Sequence, residues 1–150
     1  MLFSLKQEAP ASVGGSTFTG VLTMSFTIRM GIPEMLELWT ELSQKNTTGT
    51  ISKKELSLYN KWGKAMRLLS QDPSYPSLHT HDVEPLTKRY GVKVWQSYLE
   101  NNTSRAMRMY WVYGPDRQDI TIIGLEPHPE DKKNGAYDKI SLSDMPTMNE

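Results

Sequence analysis

Arg108 stands in a run of otherwise apolar and aromatic residues, Met107-Arg108-Met109-Tyr110-Trp111-Val112-Tyr113. A guanidinium among such neighbours needs a reason, because a cation taken out of water must find a partner. Strand alternation puts Arg108, Tyr110 and Val112 on one face and Met107, Met109, Trp111 and Tyr113 on the other. A second basic group, Lys53, Lys54, Lys61, Lys64 and Arg67, falls along one side of a helical pattern. It is either an ordinary solvated face, the reading preferred here, or a basic surface that tracks phosphates. His79 and His81 share a face of an extended chain, with Asp82 and Glu84 close by. They could begin a metal site, but there are only 3 histidines and no cysteine, and the spacing is not diagnostic. Surface or hydrogen-bonded histidines are the preferred reading, so no metal or cofactor is expected.

The composition bounds these chemistries. With 17 basic and 17 acidic residues the chain is formally neutral, and the total announces no nucleic acid, membrane or acidic partner. Between Lys88 and Tyr113, however, the ionisable residues are Lys88, Arg89, Lys93, Glu100, Arg105 and Arg108, a local excess of base. The absence of cysteine removes disulfide and thiolate chemistry and fits a reducing cytoplasm, the expected location. No stretch approaches the length of a membrane span, and the first apolar run breaks at Lys6, which makes a poor signal peptide.

The elements that must position these residues follow from pattern. Residues 1–20, rich in Ser, Gly, Ala and Thr, read as a flexible arm. Residues 21–145 read as one domain and 146–150 as a tail. The β-branched segment from Val21 to Met30 predicts a strand. Pro33 and Glu34 then open a helix whose apolar face is Met35, Leu38, Trp39 and Leu42. Ser52-Lys53-Lys54-Glu55 is a capping box, starting a second helix with Tyr59, Trp62, Met66 and Leu69 in one stripe. Gly63 in that helix suits close packing against the first. Residues 74–91 read as irregular or weakly extended. Val92 to Leu99 predicts a strand, a polar hairpin leads to the Arg108 strand, and Gly114-Pro115-Asp116 turns into the β-branched run Ile120 to Ile123. That run has the character of a strand buried on both faces. The expected fold is α+β, with an N-terminal strand, two helices on one face, then an antiparallel sheet of three or more strands.

This order of elements resembles the RelE/ParE superfamily of bacterial toxin components over roughly residues 23–140. So do the Lys-bearing segment Val92-Lys93-Val94-Trp95, the polar hairpin and the words Arg108-Met109-Tyr110-Trp111. The resemblance implies a toxin of a type II toxin–antitoxin system. Its activity would be that of a ribosome-dependent, metal-independent endoribonuclease, an mRNA interferase, neutralised by a cognate antitoxin. Its partners would be that antitoxin, the ribosome and mRNA. Cleaving RNA through its own 2′-OH needs a base, a cation for the phosphorane charge, and an acid for the leaving oxygen.

Carried onto this chain, the resemblance implies that Arg108 clamps phosphate with its two-pronged guanidinium. Lys93 would contact phosphate or assist proton transfer. The family often has a second lysine two positions on, where this chain has Trp95, which stacks on a base or fills the core. Lys88, Arg89 and Arg105 would bind RNA. The general acid or base is expected from the stretch beginning at Glu126, with His128, flanked by two prolines, as first choice. Tyr137 is either the family's terminal aromatic, placed at the 2′-OH, or a hydrophobic anchor with Ile140 and Leu142. The bland readings are an edge-strand ion pair for Arg108 and a surface loop for His128. Ribosome-directed members are strongly basic overall, and this chain is not. Two other functions stay open: a ParE-like toxin that binds a protein such as gyrase, and a non-catalytic interaction module of the same fold.

Overall fold

The computed structural model describes residues 4–5, 25–100, 106–127, 137 and 139–147. Arg105 and His128 lie outside these residues. In chain order the elements are β1 (Ser4–Leu5), β2 (Thr27–Met30), α1 (Glu34–Thr48), α2 (Lys53–Gln71), a 3-10 turn (Pro76–Leu78), β3 (His81–Asp82), α3 (Glu84–Tyr90), β4 (Trp95–Tyr98), β5 (Met107–Tyr113) and β6 (Asp119–Pro127). The architecture is α+β, with one sheet in the order β1-β2-β6-β5-β4-β3.

Strands β4, β5 and β6 form the expected antiparallel meander. The sheet as a whole is mixed, not antiparallel, because β2 pairs parallel with β6. Helices α1, α2 and α3, with β3, lie between β2 and the meander, a connection long enough for β6 to run parallel to β2. Ser4 and Leu5, inside the expected N-terminal arm, pair antiparallel with β2.

Both helices predicted from pattern are present. Ser52 caps α2 through a reciprocal box, its hydroxyl accepting from the Glu55 amide while the Glu55 carboxylate accepts from the Ser52 amide. Met35, Trp39 and Leu42 of α1 meet Trp62, Ala65, Met66 and Leu69 of α2, and these pack on Ile28, Met109, Trp111, Ile120 and Ile122 of the sheet. Gly63 lies under α1, where an added Cβ would stand 3.7 Å from the Trp39 ring. The lysines and arginine of α2 are exposed, and Lys61 donates to Glu100 at 2.6 Å.

The other face of the sheet is covered too, which corrects the expectation of helices on one face. Val94, Tyr110, Val112 and Ile123 pack with Val83 and Leu86 at α3 and with Ile140 of the C-terminal segment. Helix α3 falls in the stretch read as irregular. Ser143 holds the C-terminal segment in place. Its hydroxyl accepts from the Met35 amide at 3.1 Å and donates to Glu34 at 2.9 Å, so it caps α1, whose own Pro33 supplies no side-chain cap. A bridge between Ile32 and Asp144 lies beside it.

Candidate active site

The sheet register assembles the site. Tyr98 of β4 lies opposite Arg108 of β5, and Arg108 lies opposite Glu126 of β6, so the three side chains form one row across the second face. The next row on that face is Gln96, Tyr110 and Gly124. The guanidinium carbon of Arg108 stands 3.6 Å from the centre of the Tyr98 ring, a direct stacking contact. One terminal nitrogen, Nη1, donates to the Ala106 carbonyl at 2.8 Å and lies 3.4 Å from that of Met107. Its Nε is buried and makes no hydrogen bond among the described residues. Arg108 is 5% exposed and sits on a central strand, so it is not the edge-strand ion pair considered above.

Three buried polar atoms on this face have no hydrogen-bond partner among the described residues: Arg108 Nε, the Tyr110 hydroxyl and Gln96 Oε1. Each such group costs about 1–3 kcal/mol of desolvation. Their grouping in adjacent rows is the local conflict that functional sites tend to retain. Burial pushes the Tyr110 phenol far above the ordinary range, with Tyr137 adding to the rise and Arg108 opposing it. Tyr137 is likewise raised, chiefly by burial, with Arg108 lowering and Tyr98 raising it. Both phenols are protonated at neutral pH, as an ordinary tyrosine is.

Of the residues singled out by sequence, the fold brings Tyr137 to Arg108. Tyr137 also packs with Ile140 and Leu142 on the second core, the anchoring role considered above. Arg89 of α3 reaches it, donating from Nη1 to the Tyr137 carbonyl at 3.3 Å, while Lys88 is exposed in the last turn of the same helix. Lys93 does not join them. It precedes β4, its Nζ lies 5.3 Å from the Trp95 ring and 3.9 Å from Asp82, and Trp95 packs on the helix-side face. Five residues of extended chain, about 17 Å, separate Lys93 from the position opposite Arg108. The strand expected from Val92 begins at Trp95, so Lys93 lies before it.

His79 and His81 are engaged with the surrounding protein. The His81 Nδ1 lies 3.1 Å from the His79 carbonyl and its Nε2 lies 3.2 Å from Gln96, while the His79 ring packs on Tyr98 at 4.8 Å. No cluster of three or more candidate ligands occurs among the described residues. No helix among the described residues is long and apolar enough to cross a membrane.

Sequence reasoning missed Tyr98 and did not single out Tyr110 or Glu126 as partners of Arg108. A hairpin centred on residues 101–104 would have set Tyr98 opposite Met107, one position short of its observed partner Arg108. No family model, curated protein or solved structure matches the chain.

Proposed function

We propose that this chain is a RelE-type toxin that cleaves mRNA on the ribosome by attack of the 2′-OH, without a bound metal, and that a cognate antitoxin restrains it. The observation that carries this reading is the row Tyr98–Arg108–Glu126, with Tyr110 and Tyr137 beside it at the same end of the sheet. In this mechanism the guanidinium of Arg108 stabilises the charge of the phosphorane. Glu126, half-buried opposite it, takes the 2′-OH proton as the 2′-oxygen forms its bond to phosphorus. A tyrosine phenol, Tyr137 in this reading, gives its proton to the departing 5′-oxygen. The products are a 2′,3′-cyclic phosphate and a 5′-hydroxyl.

The α+β layout, with two helices across one face of a meander, is the arrangement the resemblance implies and is compatible with this activity. A purified translation system tests it. Added protein is expected to stop synthesis and to leave mRNA fragments ending in cyclic phosphate, and Arg108→Ala is expected to reduce that cleavage by about a hundredfold or more. Arrest of synthesis with intact mRNA would sink the nuclease reading.

One observation favours a second reading. At 5% exposure, with Nη1 held by its own strand, Arg108 is placed as a structural cation would be. On that reading the chain binds a protein target, such as gyrase, or serves as an interaction module. Inhibition of supercoiling without RNA cleavage would establish the former.

A further inference from the structure

A cleft of about 370 Å³ opens on the helix-side face, between the 3-10 turn and the ends of β4 and β5. Tyr75, Pro76, His79, Trp95, Trp111 and Tyr113 supply its walls, and no acidic residue lines it. Trp95 and Trp111 are stacked at 5.8 Å with 18° between their planes, and the Tyr113 ring stands edge-on to both. Tyr75 and Tyr113 are 41% and 46% exposed, far more than the other aromatic residues of the cores. The Trp95 indole N–H is buried and has no hydrogen-bond partner among the described residues. Lys93 extends over the Trp95 ring, its side chain more than half exposed and its ammonium 3.9 Å from the Asp82 carboxylate.

We propose that this cleft takes one unstacked base of a single-stranded RNA, with Lys93 contacting the adjoining phosphate. Exposed rings stack on a base of any sequence, and a nearby ammonium meets the backbone. A proline-rich peptide would also suit an aromatic groove, but it has no phosphate for Lys93. Continuity with the candidate active site decides further for RNA. His79 lines the cleft, its ring packs on Tyr98, and Tyr98 carries Arg108. An RNA strand leaving the cleft therefore follows the His79–Tyr98 contact to reach the Arg108 row. The inference rests on the RNA-directed reading given above, and it reassigns Lys93 from catalysis to substrate binding.

A 2′-O-methyl oligoribonucleotide, which cannot be cleaved, separates binding from chemistry. Its affinity is read by tryptophan fluorescence for the full chain and for Tyr75→Ser, Tyr113→Leu and Lys93→Gln, each first shown by thermal unfolding to keep its fold. Each tyrosine variant is expected to weaken binding by about tenfold, within the range for one stacked base. Lys93→Gln is expected to lower the slope of log affinity against log salt by about 0.7, the value for one phosphate of a single strand. Equal affinity of parent and tyrosine variants would overturn the cleft and leave the nuclease reading intact. Absent oligonucleotide binding, or capture of a polyproline peptide in its place, would overturn the cleft as well, and the translation assay then judges the nuclease reading separately.

Discussion

Tyr110 shows how a single residue can separate stability from function. Its hydroxyl is buried, has no hydrogen-bond partner among the described residues, and is held protonated by burial. Tyr110→Phe removes that desolvation cost and should raise the unfolding free energy by about 1 kcal/mol in urea titration. If the phenol serves the site, the same variant loses cleavage rate, so stability and activity move in opposite directions. The buried pair Arg29–Asp119, at 3.0 Å between the parallel strands β2 and β6, behaves differently. Asp119→Ala strands a buried guanidinium and should cost about 3–5 kcal/mol. Arg29→Met together with Asp119→Leu should cost much less than Asp119→Ala alone.

At the scale of elements, the capping box of α2 carries a pH signature. Glu55 is held down to about 2, first by its hydrogen bond from Lys45 and then by the Ser52 amide. A carboxylate depressed in the folded state stabilises it above the unfolded value near 4.5, and that contribution fades as pH falls toward 2. The gap in thermal midpoint between the parent and Glu55→Gln should therefore be full at neutral pH and close below pH 3. Helix α2 also offers a gain. A methyl at Gly63 would meet Trp39 at ordinary contact distance, so Gly63→Ala should stabilise by roughly 0.5–1 kcal/mol in urea titration.

The two long helices were legible because their stripes and cap are local signals, and so was β5, whose alternation holds from Met107 to Tyr113. Helix α3 was not, since its seven residues are too few for periodicity. Its markers were nonetheless present: Pro85 in the first turn, Lys88 and Arg89 in the last, and Gly91 at the left-handed position beyond it. Strand β4 was drawn too long at its start, since it begins at Trp95 and not at Val92. The cap that Ser143 gives α1 spans most of the chain, and nothing near Pro33 announces it.

For the whole molecule, the sheet divides two tasks between its faces. The helix-side face buries α1 and α2 and, beyond their reach, leaves the aromatic cleft open. The second face carries the Arg108 row beneath α3 and the C-terminal segment. Arg108 itself was found from sequence by its contrast with its neighbours. Its surroundings were not, because Tyr98, Glu126 and Tyr137 come from three separate segments joined only by register and by the docking of the C-terminal segment. The neutral total charge does not bear on this local arrangement, since binding depends on the cations that meet phosphate.

The most direct measurement is cleavage of ribosome-bound mRNA by the parent protein and by Arg108→Lys, with end-group analysis of the fragments. Lysine keeps the charge but loses the guanidinium's planar fork. The account predicts cyclic-phosphate ends from the parent and at least about a hundredfold slower cleavage by Arg108→Lys, in a variant that still unfolds cooperatively. Intact mRNA with the parent, or undiminished cleavage by a folded Arg108→Lys, would contradict it.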